Sequence, residues 1–307
     1  MAEDMTAVSR PLTRRRPASE RVIETLLLLA ASVGVLTTIG IVVVLLLEAV
    51  QFFALVNPID FLTGTRWSAS ILPFAFGVIP LVVSTLEVAL LALLVAVPLG
   101  LLAAVYLAEY ATARTRTIVK PILETIAGIP TIVLGFFAVN FITPELLKPL
   151  IPAVGTFNVL SAGLVVGLLI TPLIGSLSED ALRAVPRGLR EGAFAMGATR
   201  FEVVRRVVFP AALSGIMASI ILAMSRAIGE TMAVVLAAGF NPKLTVDPRD
   251  QGGTMAAFIA QITSGDTPQD SIQFKSLFAV ALVLFAMTLA LNLISNRIVA
   301  RFRNRYA

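Results

Sequence analysis

Six long apolar runs dominate the chain, near residues 24–47, 77–107, 118–142, 159–178, 211–239 and 276–296. A hydrocarbon core about 30 Å thick takes roughly 20 apolar residues per helical crossing, so each run is long enough to span it. Backbone polar groups inside lipid must be bonded within their own segment, which makes such runs helices. The expectation is an all-α membrane protein with six transmembrane helices. Composition agrees, since 57% of the residues are hydrophobic and 14% charged, far from the balance of a water-solvated domain. The first run follows Arg14, Arg15, Arg16 and Arg21 like the basic start of a signal peptide, but it exceeds the apolar stretch of about 7–15 residues such peptides carry. It reads as a retained span.

Charge sets the expected orientation. With the N-terminus in the cytoplasm, 18 of the 24 Lys and Arg fall on that side, in clusters before the first span, at 114–120, at 183–206 and at 297–305. The other side receives Arg66, Lys148, Lys243, Arg249 and Lys275, and Arg226 lies inside a span. The positive-inside rule then places both termini in the cytoplasm. It also accounts for the formal charge of +5 without nucleic acid. The chain divides into a cytoplasmic N-terminal tail at 1–23, a transmembrane domain at 24–300 and a cytoplasmic C-terminal tail at 301–307. The exterior segments 48–76 and 240–275, interrupted by Pro and Gly, read as irregular loops.

Histidine and cysteine are both absent, which removes disulfides, thiolate or imidazole metal sites and catalysis by either group. A membrane-embedded enzyme would have carboxylates alone to work with. No Gly-x-x-x-x-Gly-Lys-[Ser/Thr] loop is present, so the chain binds no nucleotide of its own by that route.

The segment 179–210, between spans four and five, holds the most informative local pattern. Pro186 and Gly188 stop a helix continuing from span four, and Leu189–Met196 can form about two turns, ending where Gly197 can take a left-handed cap. Thr199 with Glu202 three positions later forms a capping box for a second helix. The result is a two-helix elbow cornered at Gly197, Ala198 and Thr199, suited to a cleft in another protein. An amphipathic segment lying on the membrane surface would suit its six arginines equally well.

Glu87, Glu124, Arg226 and Glu230 lie within or near apolar runs, where a charge must face protein or water because its insertion costs about 2.5–3.5 kcal/mol. On a continuous helix Arg226 and Glu230 would share a face and pair. That pair is either structural or part of an anion site, because a guanidinium gives planar, bidentate hydrogen bonds to an oxyanion. Ser225 and Thr231 would add hydroxyls. In span three, Gly128-Ile-Pro130-Thr131 is either a kink or a helix broken beside a cavity. Glu124-Thr-Ile-Ala127 echoes Glu230-Thr-Met-Ala233, too short a match to claim duplication.

Two sets of residues carry a family resemblance. Glu191-Gly-Ala193, three residues, Gly197, nine residues and Val207-Val-Phe-Pro210 resemble the EAA signature of ABC importer permeases, with Gly192, Val207 and Phe209 as mild departures. The run Ser225-Arg-Ala-Ile-Gly-Glu-Thr-Met-Ala-Val, together with Gly128-Ile-Pro-Thr-Ile-Val-Leu-Gly135, resembles the PstC-type permeases of bacterial phosphate importers over roughly 75–300. The related PstA-type subunits usually read Glu-Thr-Ala-Pro there. The resemblance implies a MetI-like, type I importer fold in the bacterial inner membrane and alternating access for inorganic phosphate. It implies a coupling role for Glu191, Ala193, Gly197, Ala198 and Thr199, and a substrate path at Ser225, Arg226, Glu230, Thr231 and Thr131. Implied partners are a PstA-type permease, a PstB-type ATPase dimer carrying ATP and Mg, and a PstS-type binding protein; no cofactor binds this chain. A permease for sulfate or molybdate is the neighbouring alternative, and an ion-coupled secondary transporter the alternative of another class.

Overall fold

The apolar runs become helices because nothing else satisfies their backbones, and a computed structural model, which describes residues 18–69 and 71–303, bears this out. Among the described residues, six helices are long and apolar enough to cross a membrane: Val22–Phe53, Ile79–Tyr110, Thr131–Leu150, Val159–Arg183, Arg200–Ile228 and Ile272–Ser295. Two compact units are present, Met1–Leu47 and Glu48–Ala307. In the first, helix α1 (Ala18–Phe53) runs with no buried side chain among its described residues up to Leu47. Most of the expected tail at 1–23, and the last four residues of the one at 301–307, lie outside the described residues; helix begins by Ala18 and continues to Arg303.

In the second unit the elements run α2 (Pro58–Thr63), a two-residue antiparallel ladder of β1 (Trp67–Ser68) with β2 (Ala75–Phe76), then α3 (Ile79–Val105). After α3 come a π-helical turn at Tyr106–Tyr110, α4 (Ala113–Ile126), α5 (Thr131–Phe137) and a second π-helical stretch at Ala138–Leu147 leading into α6 (Lys148–Leu150). The chain continues through α7 (Val159–Arg183), α8 (Arg187–Ala195), α9 (Arg200–Val203), a third π-helical turn at Val204–Val208, α10 (Phe209–Ile228), α11 (Met232–Ala238), α12 (Met255–Ser264) and α13 (Ile272–Arg303).

The third span is displaced from its expected place at 118–142. Arg114, Arg116, Lys120 and Glu124 make α4 amphipathic, none of its side chains is buried, and the crossing starts at Thr131 instead. Gly128 and Pro130 produce a full break: α4 ends at Ile126, and Pro130, which has no N–H to donate, stands at the N-cap of α5. The segments at 48–76 and 240–275, expected as irregular exterior loops, are also less irregular than expected. They contain α2 and α12, and the ten residues of α12 are too few to cross the bilayer.

The centre of this unit is α7, whose partner is α3. Small residues allow their close approach: a Cβ on Gly167 would sit 2.9 Å from both the Ala92 carbonyl oxygen and Val95 Cβ, and one on Gly163 would meet Leu91 Cβ at 2.5 Å. Gly167→Ile is therefore expected to overpack the pair by about 1–3 kcal/mol and lower the melting temperature of the purified protein. Gly34→Ala, where nothing lies within 4 Å of a Cβ, is expected to leave it unchanged. A second core joins the end of α1, α2, the ladder and α12 through edge-on aromatic contacts, with Phe52, Phe61 and Trp67 buried and Trp67 4.8 Å from Phe258 between ring centres, and Leu277, Ala279 and Val280 of α13 pack against it. A third packs Ala104, Leu182, Val185, Val203, Val208 and Ile216 beneath the elbow.

Candidate functional site: a broken helix and a capped elbow

Helix α10 stops at Ile228, with Gly229 at its C-cap, and the chain restarts as α11 at Met232. This break separates two residues expected to pair along one continuous helix. Glu230 is 9% exposed and its Oε1 accepts a hydrogen bond from the Ala233 N–H at 3.3 Å, so it caps the first turn of α11. Arg226 lies in the last turn of α10, exposed, with no ion pair or hydrogen bond among the described residues. The helical ion pair is thus replaced by a capping carboxylate and an unpartnered guanidinium.

Around the break, Ser225 Oγ donates to Asn292 Oδ1 on α13 at 3.1 Å, and Thr231 Oγ1 donates to the Gly229 carbonyl at 3.2 Å. Thr131 opens α5, which packs on α11 where a Cβ on Gly135 would meet Leu236 Cβ at 2.7 Å. Two interrupted helices therefore lie side by side. Glu124, at the end of α4, accepts from Ser176 Oγ at 2.9 Å and is far along the chain from the break at 229–231. It ends a helix where Glu230 begins one, so their similar tetrapeptides occupy unlike positions.

Beyond α11, Gly239 at φ +82° turns the chain into a segment laid over the start of α7. Backbone bonds fix it there: Gly155 N–H to Arg249 O, Val159 N–H to Asp250 O and Leu160 N–H to Pro248 O. The fully buried Asn158 caps α7 by accepting from the Ser161 N–H at 2.7 Å and donates to Thr143 Oγ1. Arg249 beside Asp247 holds that carboxyl down at about 2. The depressed value means its ionised form supports the loop above the ordinary carboxylate range, and that support fades as pH falls through about 2.

The elbow forms as its local sequence dictates. Helix α8 runs from Pro186 at its N-cap to Ala195, Gly197 takes φ +83°, and Ala198 N–H returns to Ala193 O at 3.2 Å. The capping box is reciprocal: Thr199 N–H donates to Glu202 Oε2 at 2.9 Å, and Glu202 N–H to Thr199 Oγ1 at 3.4 Å. No atom approaches a Cβ on Gly197 within 4 Å, so conformation and not space selects glycine there. Thr199→Ala is expected to cost about 1 kcal/mol in thermal unfolding, with Thr199→Ser near neutral.

The five residues assigned to coupling divide by direction. Ala193 and Ala198 turn inward onto the third core, while Glu191, Gly197 and Thr199 are exposed. The outer face carries apolar side chains that the sequence pattern did not single out: Leu189, Phe194, Met196 and Phe201, with Met196 88% exposed. A helical wheel started at Arg187 would have found Leu189 and Phe194. Arg190, whose contacts are described below, carried no such signal.

Six apolar crossings, an interrupted pair of helices and a protruding two-helix elbow define a multi-pass membrane permease of the MetI-like, type I importer class. Residues 96–307 match the family described as binding-protein-dependent transport system inner membrane component, and the chain belongs to it. Among its relatives, the probable ABC transporter permease protein YqgH of Bacillus subtilis is 34% identical over 86% of this chain and 83% of its own. The phosphate transport system permease protein PstC 1 of Mycobacterium tuberculosis is 32% identical over 80% of this chain and 82% of its own. A bacterial alginate ABC transporter, solved with an alginate pentasaccharide-bound periplasmic protein, shares the fold at a TM-score of 0.60 and 16% identity, covering 92% of this chain and 97% of that one. Membership rules out the ion-coupled secondary transporter and places the chain in the inner membrane.

Proposed function

We propose that this chain is the PstC-type permease of a phosphate importer, moving inorganic phosphate into the cytoplasm by alternating access. The observation that carries the reading is Arg226: a permanently charged, bidentate donor at a helix break, exposed and without an acidic partner among the described residues. Ser225 and Thr231 flank it with hydroxyls, and Thr131 opens the neighbouring interrupted helix. Glu230, engaged in capping, does not neutralise the guanidinium but adds a negative charge nearby that keeps the anion's grip weak enough for release. Glu230-Thr-Met-Ala favours the PstC-type over the PstA-type subunit.

In this reading both termini are cytoplasmic. The elbow seats in a cleft of a PstB-type ATPase dimer, which binds ATP and Mg and does the hydrolysis. A PstA-type permease completes the membrane pair and a PstS-type protein delivers phosphate from the exterior. The test is uptake by the reconstituted complex with labelled phosphate, competed by sulfate or molybdate. Phosphate uptake resistant to a large excess of sulfate and molybdate supports the reading; uptake of either competitor in place of phosphate overturns it.

A further inference from the structure

The end of α3 is gripped from three directions. Arg190, on α8, reaches Glu109 Oε1 through both Nη2 (3.0 Å) and Nε (3.3 Å), and its other bonds go to Leu182 O in the last turn of α7 at 2.7 Å and to Val185 O just beyond that helix at 2.6 Å. The ion pair is enclosed, with side chains 17% and 10% exposed for Arg190 and Glu109. Arg200, on the other arm of the elbow, lies 5.4 Å over the Tyr110 ring. From α4, Arg116 donates to Leu107 O at 2.7 Å and stands 3.4 Å from the buried Glu179 of α7. Glu109, Tyr110 and Leu107 all fall on one π-helical turn, Tyr106–Tyr110, which widens the backbone and aims Glu109 and Tyr110 at the elbow.

We propose that this turn is the relay between elbow and bundle, with Glu109, Tyr110, Arg190 and Arg200 as positioning residues that carry the elbow's displacement into α3 and α7. The proposal rests on the elbow being the ATPase contact. Each arm of the elbow has its own link to the turn, so a push on the outer apolar face must move α3 with it. Because Arg190 also holds Leu182 O in the last turn of α7 and Val185 O just beyond it, α3 and α7, which pack closely, move together. The inner alanines, Ala193 and Ala198, contribute packing, and their hydrogen bond to one another stays within the elbow. Partly buried charge pairs of this kind resist shear better than apolar contact, because breaking one leaves a charge uncompensated.

The test compares the intact complex with Glu109→Gln and with Glu109→Gln/Tyr110→Leu. Both variants are expected to assemble and hydrolyse ATP, while phosphate moved per ATP falls about tenfold, inside the 5- to 150-fold range usual for coupling between sites. Hydrolysis and uptake falling in proportion would mark a structural staple and overturn the relay. The chain has no native cysteine, so Glu109→Cys/Arg190→Cys gives a unique thiol pair. Bridging it with a short bifunctional reagent is expected to restore coupling, and a bridge that abolishes uptake by an otherwise active pair overturns the proposal. A substrate-free measurement separates the relay from the phosphate reading: a fluorophore on Leu94→Cys, at an exposed position of α3, is expected to respond to ATP in the intact chain but not with Glu109→Gln. A response that survives Glu109→Gln, or none in the intact chain, overturns the relay whatever anion is carried.

Discussion

Arg226→Gln is expected to reduce phosphate uptake by about 10- to 150-fold, the factor that corresponds to losing charge-assisted hydrogen bonds worth about 1.5–3 kcal/mol. Glutamine keeps most of the side chain's length and removes the charge and the planar fork. Nothing in the described structure depends on the guanidinium for packing, since it has no ion pair or hydrogen bond there, so assembly and ATP hydrolysis should persist. Arg226→Lys retains charge without bidentate geometry and should fall between the two. Uptake measured in vesicles, with hydrolysis followed in parallel, decides the matter: unchanged uptake with Gln would remove Arg226 from the path. Glu230→Gln should behave differently. It keeps an oxygen able to cap α11 while removing the nearby negative charge, so tighter anion retention and slower release are expected.

The second large effect is expected at the elbow's outer face. Phe194→Asp with Met196→Asp replaces two exposed apolar side chains by carboxylates without touching the inner packing. Burying one such side chain contributes about 1.5–3 kcal/mol, and 1.4 kcal/mol is tenfold in affinity, so retention of the ATPase should fall by about 100-fold or more. The fold of the permease itself should be preserved, because these side chains contact water in the isolated chain. Co-purification of the ATPase with the double variant at wild-type yield would show that the elbow does not dock through this face. Gly197→Ala should act on the same interface by a separate route. Its φ of +83° costs an alanine about 1–2 kcal/mol, which would loosen the corner without removing any contact.

How much of this was legible depends on the range of the interaction concerned. The six crossings were visible because apolar length is a local property, and four of them lie close to their expected places; the fifth runs from Arg200 to Ile228 and not from 211 to 239, because α10 breaks at Gly229. The third moved because hydropathy averaging bridged the Gly128–Pro130 break, where a single missing donor and a loosened turn outweigh the apolar residues on either side. The elbow was readable for the same reason the crossings were: its glycine, its capping box and its spacing all act within a few residues. Arg226 and Glu230 were found as residues but misjudged as partners. The i, i+4 rule presumes an unbroken helix, and Gly229 ends it between them.

The sequence by itself determined the class of solvent, the number of crossings, the elbow and the family, because each follows from short-range periodicity, capping chemistry or motif spacing. Tertiary structure alone decided which charges far apart in the sequence meet. Glu109 and Arg190 are 81 positions apart, and Glu179 gathers Lys120 and Arg116 from another helix. No periodicity links such residues, because their proximity is set by how α3, α4, α7 and α8 pack, and packing depends on the summed shape of many side chains rather than on any local signal.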